Sequence, residues 1–105
     1  MNIILNPRLA PTEKATPGDF RWAAGFFEGD GTVHYRNGNA QISQKDPWAL
    51  ERMRALFGGG VYKETARELY LWNVCGARAR GFLQSIYGLL SPRRQEQVRQ
   101  VLHIV

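Results

Sequence analysis

A chain of 105 residues with 44% apolar content has room for one domain with a modest core and too little for two. Fourteen Lys and Arg against nine Asp and Glu give a net charge of +5 and a pI near 9.9, a balance that favours a polyanionic partner without separating DNA from RNA or a ribosome. No stretch approaches the roughly 18 uninterrupted apolar residues of a membrane span, the N-terminus lacks a signal-peptide pattern, and one cysteine excludes an internal disulfide or a multi-cysteine zinc site, so a soluble, intracellular protein without a membrane partner is expected.

Residues 1–15, MNIILNPRLAPTEKA, begin apolar, carry two prolines and keep no sustained period. They are expected to form an arm, strand-like at 3–5, that packs on the body or a partner, or else a mobile tail. Residues 16–105 then make the domain. Thr16-Pro17, Asp46-Pro47 and Ser91-Pro92 each set a capping side chain before a proline suited to the first helical position, so three of the five prolines mark helix starts. Asp19 completes a capping-box-like pattern with Thr16.

The stretch 17–31, PGDFRWAAGFFEGDG, reads as a helix with two apolar sides. At about 100° per residue, Phe20, Ala23, Ala24 and Phe27 form one stripe, and Trp22, Gly25, Phe26 and Gly29 form another roughly opposite. One stripe buries a helix in its own domain, so the second asks for a partner, and its glycines let that partner's backbone approach closely. Glycine inside a helix costs up to about 1 kcal/mol relative to alanine, so two of them want a reason. Asp30, with Glu28 nearby, falls where the helix should stop, which places anions beside unpaired carbonyls. A hard cation such as Mg²⁺ would resolve the conflict, using one or two carboxylates with waters and phosphate oxygens. The alternative is that Asp30-Gly31 is an ordinary turn into the next strand.

After Gly31, two alternating runs flank Asn37-Gly38, a type I′ hairpin signal. Val33, Tyr35, Ala40 and Ile42 are expected to face helices, leaving Thr32, His34, Arg36, Asn39, Gln41 and Ser43 outward. That polar face could read base edges or be an ordinary solvated sheet face. His34 has no second histidine or cysteine at metal-ligand spacing.

A second helix spans 46–57, with Leu50, Met53 and Phe57 on one stripe, and Gly58-Gly59-Gly60 stops it. A second hairpin, 61–65 and 68–75, turns near Ala66-Arg67. Its return strand points Tyr70, Trp72 and Val74 inward and Leu71 and Asn73 outward, with Lys63 and Thr65 outward on the first strand. A third helix, 77–90, buries Ala79, Phe82, Leu83, Ile86 and Leu90. A fourth, 92–103, sets Val98, Val101, Leu102 and Val105 inward and opens with Arg93-Arg94, a pair at odds with the helix dipole and better explained by a nearby anion. The order helix, hairpin, helix, hairpin, helix, helix predicts an α+β layer, one four-stranded antiparallel sheet with helices on one face and the other face free. Such a face could enter a major groove.

The run Ala23-Ala24-Gly25-Phe26-Phe27-Glu28-Gly29-Asp30-Gly31 resembles, position for position, the LAGLIDADG motif of homing endonucleases. Further likeness extends over most of 22–102: Ile42-Ser43-Gln44-Lys45, Phe57-Gly58-Gly59-Gly60, the Tyr70 and Trp72 strand, and Arg93-Arg94-Gln95-Glu96-Gln97. The resemblance implies an αββαββα(α) fold. It also implies a single-motif homodimer paired through Trp22, Gly25, Phe26 and Gly29, and Mg²⁺-dependent cutting of a near-palindromic duplex. By the same resemblance Asp30, with Gly29 beside it, would hold the metal, Gln44 would order water, and Lys45, Arg93 or Arg94 would serve the scissile phosphate. Thr32, His34, Arg36, Asn39, Gln41, Ser43, Lys63, Thr65, Leu71 and Asn73 would contact DNA. Trp48 stands where some members carry a further basic residue. Rival readings are a non-cleaving DNA-binding regulator of the same fold, an RNA-splicing maturase, and a basic interaction module.

Overall fold

A computed structural model of the chain describes residues 2–104, with side chains described for 9–102. The elements run β1 (Asn2–Leu9), α1 (Pro17–Asp30), β2 (Gly31–Val33), β3 (Ala40–Gln44), α2 (Trp48–Phe57), β4 (Gly59–Glu64), β5 (Leu69–Val74), α3 (Gly76–Ile86), a 3₁₀ turn (Tyr87–Leu89) and α4 (Pro92–Ile104). The two hairpins join through β3 and β5 into the expected antiparallel sheet, and β1 adds a fifth strand beside β4, giving the order β1-β4-β5-β3-β2. The N-terminal arm is therefore a sheet strand along most of its length, longer than the 3–5 segment expected. Val105, expected on the buried stripe of α4, lies outside the described residues.

Local chemistry sets the helix boundaries. Thr16 and Asp19 make the full capping box at the start of α1, each side chain accepting from the other's backbone N–H at 3.1 and 2.9 Å. Asp46 Oδ1 accepts from the Trp48 N–H at 2.8 Å, so Pro47 precedes the first turn of α2 and does not sit within it. Gly58 closes α2 at a φ of +78°, in the region open to glycine. Helix α3 ends at Ile86, earlier than the predicted 90, because Tyr87 to Leu89 tighten into the 3₁₀ turn.

Four aromatic rings build the centre of the core between sheet and helices. Phe82 meets Phe57, Trp72 and Phe27 edge-on at centroid distances of 4.9, 5.2 and 5.6 Å. Trp72 is fully buried, and its Nε1–H donates to the Gly58 carbonyl at 2.9 Å, so the indole is satisfied inside the core. The predicted inward stripes hold: Ala23, Ala24 and Phe27 of α1, Leu50, Met53 and Phe57 of α2, and Ala79, Phe82, Leu83 and Ile86 of α3 are all buried. Each such large apolar side chain contributes about 1.5–3 kcal/mol.

Two expectations for the sheet fail. Strand β2 stops at Val33, and the connection closes through the His34 N–H on the Asn39 carbonyl at 2.9 Å, with Gly38 at a φ of +75°. Asn37 keeps a negative φ, so the turn is not type I′, and Tyr35 lies on this loop 47% exposed, with no core to face. On β4, Val61 pairs with Trp72 and Lys63 with Tyr70, which puts Lys63 on the helix side of the sheet. Its ammonium lies 5.7 Å from the Tyr70 ring centroid.

Candidate functional site

Helix α1 delivers Asp30 to the surface at its last position, where the Gly31 N–H still bonds back to the Phe27 carbonyl. Gly31 is needed there for space: a Cβ would fall 2.5 Å from the Phe27 carbonyl oxygen and as close to its ring. Gln44, the last residue of β3, shares the helix-side face with Ile42, and its Nε2 donates to Asp30 Oδ2 at 3.0 Å. The two residues that the motif resemblance singled out for metal and water are thus in contact, 14 positions apart in the chain.

The anion excess at this helix end is largely resolved by the fold itself. Glu28 turns to the start of α4, where its carboxylate accepts from the Ser91 N–H at 2.7 Å and the Ser91 hydroxyl at 2.8 Å. The Ser91 backbone bond, the Ser91 hydroxyl bond and the charges of Arg94 and Arg93 outweigh burial and hold Glu28 below the usual carboxylate range. In return Arg94 reaches from α4 to the end of α1. Its Nε donates to the Glu28 carbonyl at 3.2 Å, its Nη1 to Gln97 Oε1 at 3.0 Å, and its guanidinium lies 5.7 Å from the Phe27 ring centroid. Each helix therefore caps the other. Arg94 is only 8% exposed, and burial, followed by the charge of Arg93, pushes its pKa down.

This commits Arg94 to structure, whereas Arg93 and Lys45 are exposed. Among the described residues no Lys or Arg pairs with Asp30. Nor do three His, Cys, Asp or Glu gather into a metal cluster among them. Asp30 and the carbonyl end of α1 form a hard-oxygen donor set of the kind that suits Mg²⁺, but too small to hold the ion without further ligands. Gly29 is exposed beside Asp30.

The register fixes the other candidate surface. Thr32, Gln41 and Asn73 lie across β2, β3 and β5 on the face away from the helices, followed by Ser43 opposite Leu71. His34 extends this row from the end of β2: its Nε2 and Gln41 Oε1 stand 2.6 Å apart, and Gln41 Nε2 donates to Asn73 Oδ1 at 2.8 Å. Asn73, expected outward, does face this side but is only 5% exposed. Arg36 is exposed on the loop, Asn39 is half-buried next to it, and Thr65 is exposed in the β4–β5 turn. Tyr62, Glu64 and Leu69, not singled out from sequence, occupy the positions on this face that Lys63 does not. The signal was present, since Val61 and Trp72 are apolar partners and alternation from Val61 sends Tyr62 out and Lys63 in.

Among the described residues the second stripe of α1 is only partly covered. Trp22 is 36% exposed, Phe26 half-buried and 5.5 Å from it between ring centroids, and a Cβ on Gly25 or Gly29 would meet nothing within 4 Å. Nothing among the described residues requires those two glycines. A cavity of about 570 Å³ lies elsewhere, between α3, the 3₁₀ turn and α4, lined by Gln84, Tyr87, Glu96, Arg99, Gln100 and Leu102, and it holds none of the candidate residues. No helix is long and apolar enough to cross a membrane, among the described residues. No protein-family model matches the chain, and the search of curated proteins found no match.

Proposed function

We propose that the protein is a homodimeric, Mg²⁺-dependent endonuclease that cuts double-stranded DNA at a near-palindromic site. The observation that carries this reading is the Gln44 amide on Asp30 Oδ2 at the exposed end of α1, beside an apolar helix face with two unexplained glycines. Two copies joined through Trp22, Gly25, Phe26 and Gly29 would bring two such helix ends, and two Asp30 carboxylates, toward one axis. Asp30 would hold the metal, with Gly29 at the same helix end and phosphate oxygens completing the set. Bound there, Mg²⁺ would supply Lewis acidity and lower the pKa of water. Gln44 fixes the rotamer of Asp30 and offers its amide to solvent lined up for attack, while Lys45 or Arg93 stabilises charge on the phosphoryl oxygens. The row Thr32, Gln41, Ser43 and Asn73, with Arg36 on its loop, would lie along the groove.

The test is a randomised-duplex selection in Ca²⁺, a switch to Mg²⁺, and sequencing of the ends, with Asp30→Asn beside wild type. A palindrome cut by wild type and bound but uncut by the variant is the expected result. Normal cutting by Asp30→Asn would refute the metal assignment. The second reading, a dimer that binds DNA without cutting, gains from the burial of Arg94 in the α1–α4 clasp, which removes one of three basic candidates from the chemistry. An enriched palindrome that neither protein cuts would establish it.

A further inference from the structure

The open face carries one side chain held from both sides. Gln41 lies on β3 between His34, at the end of β2, and Asn73, directly opposite on β5. Its Nε2 donates to Asn73 Oδ1 at 2.8 Å, which turns its oxygen toward His34 Nε2, 2.6 Å away, so that His34 is the donor in that bond. Asn73 is only 5% exposed, so the row is anchored at its inner end; at that position on β4 stands Gly60, over which the Tyr62 ring folds.

An amide has two acceptor positions on its oxygen and two N–H donors on its nitrogen. His34 and Asn73 take one of each, from opposite lateral sides. What remains is one acceptor and one donor, side by side, with the amide unable to flip without breaking both bonds. A free surface glutamine presents either order of donor and acceptor to a ligand. This one presents a single order. Bidentate donor-plus-acceptor pairing by a glutamine amide matches the N7 and N6 edge of adenine in the major groove.

We infer that Gln41 is a fixed adenine reader, and that His34 and Asn73 are positioning residues that hold its amide in register. This rests on the proposed reading of the sheet as a duplex-binding surface. In a twofold dimer it requires an adenine at symmetric positions of the two half-sites.

The experiment is a binding selection on randomised duplexes in Ca²⁺, run on the full chain for wild type, Gln41→Glu, His34→Ala and His34→Gln, with thermal unfolding of each to establish that it folds. Glutamate offers only acceptors and pairs with the N4 amine of cytosine, and the Asn73 amide can flip to donate to it. The expected result is a symmetric adenine favoured over other bases by about 10- to 100-fold in wild type and replaced by cytosine in Gln41→Glu. The preference should weaken in His34→Ala and return in His34→Gln, which restores a donor. A merely structural role for Gln41 would lower affinity at every base alike and produce no switch. An enriched palindrome whose bases ignore the Gln41 and His34 substitutions overturns the inference and leaves the duplex reading standing. If wild type enriches no duplex, both fall together.

Discussion

Replacing Glu28 by Gln tests the clasp that joins the end of α1 to the start of α4. The carboxylate accepts two hydrogen bonds from Ser91, at 2.7 and 2.8 Å, and faces the positive end of α4 beside Arg93 and Arg94. Glutamine keeps the shape and one acceptor but brings an NH₂ against a donor and removes the charge. Charge-assisted bonds of this kind contribute about 1.5–3 kcal/mol; with Glu28 half-buried and the Ser91 hydroxyl free to rotate, the loss should be about 1–2 kcal/mol. For a domain near this size that lowers Tm by about 5–15 °C. The effect has a pH signature. Glu28 has a folded-state pKa below its ordinary value of 4.5, so its contribution is fully present above that value and is lost as pH falls through the depressed folded-state pKa. Urea unfolding of wild type and Glu28→Gln at pH 7 and at pH 3 reads both. The gap between them should be open at pH 7 and narrow markedly at pH 3. Equal stability at pH 7, or a gap that stays the same in acid, would refute the clasp as described.

Gly31→Ala should destabilise by more than about 2 kcal/mol, since the added Cβ would strike the Phe27 backbone and ring, and the unfolding midpoint measures it. Gly25→Leu should do the reverse to the folded chain, because the site is open and leucine is the better helix former, by about 0.5–1 kcal/mol. On the proposed function the same substitution should convert the dimer to a monomer by sedimentation and abolish cutting; a wild type that is already monomeric at micromolar concentration would refute the dimer.

Much of this architecture was legible because its signals are local. The Thr16–Asp19 box, the stripe of buried Ala23, Ala24 and Phe27 with Phe20 partly buried beside them, and the triglycine stop each lie within a few residues, and each appears where the spacing puts it. Asp30 stands out by its place at a helix end and by the resemblance, Gln44 by the resemblance alone, and the fold sets Gln44 Nε2 3.0 Å from Asp30 Oδ2. The failures are of another kind. The sequence asks for an anion near Arg93-Arg94 and a cation near Glu28 but does not pair them with each other, because the partners lie 63 and 66 positions away and no periodicity reports a long-range cap. Strand β1 was only partly visible because its pairing with β4 is interrupted by register shifts, which break the alternation. Tyr35 followed a period that the strand itself abandons at Val33.

The seam between β3 and β5 separates contacts that are close in the chain from contacts that are distant in it. Asp30 meets Gln44 within α1, β2 and β3, a contact 14 residues long in sequence, whereas Gln41 meets Asn73 across 32. The first can form as soon as the first hairpin folds back on its helix. The second waits until the last strand of the sheet docks, and longer closures are entropically dearer and slower. The acid end of α1 therefore rests on a shorter chain closure than the polar row of the open face does. Pulsed hydrogen exchange during refolding should protect the β2-facing amides of 40–44 no later than the β5-facing ones, and the polar row of the open face is complete only when the whole sheet is.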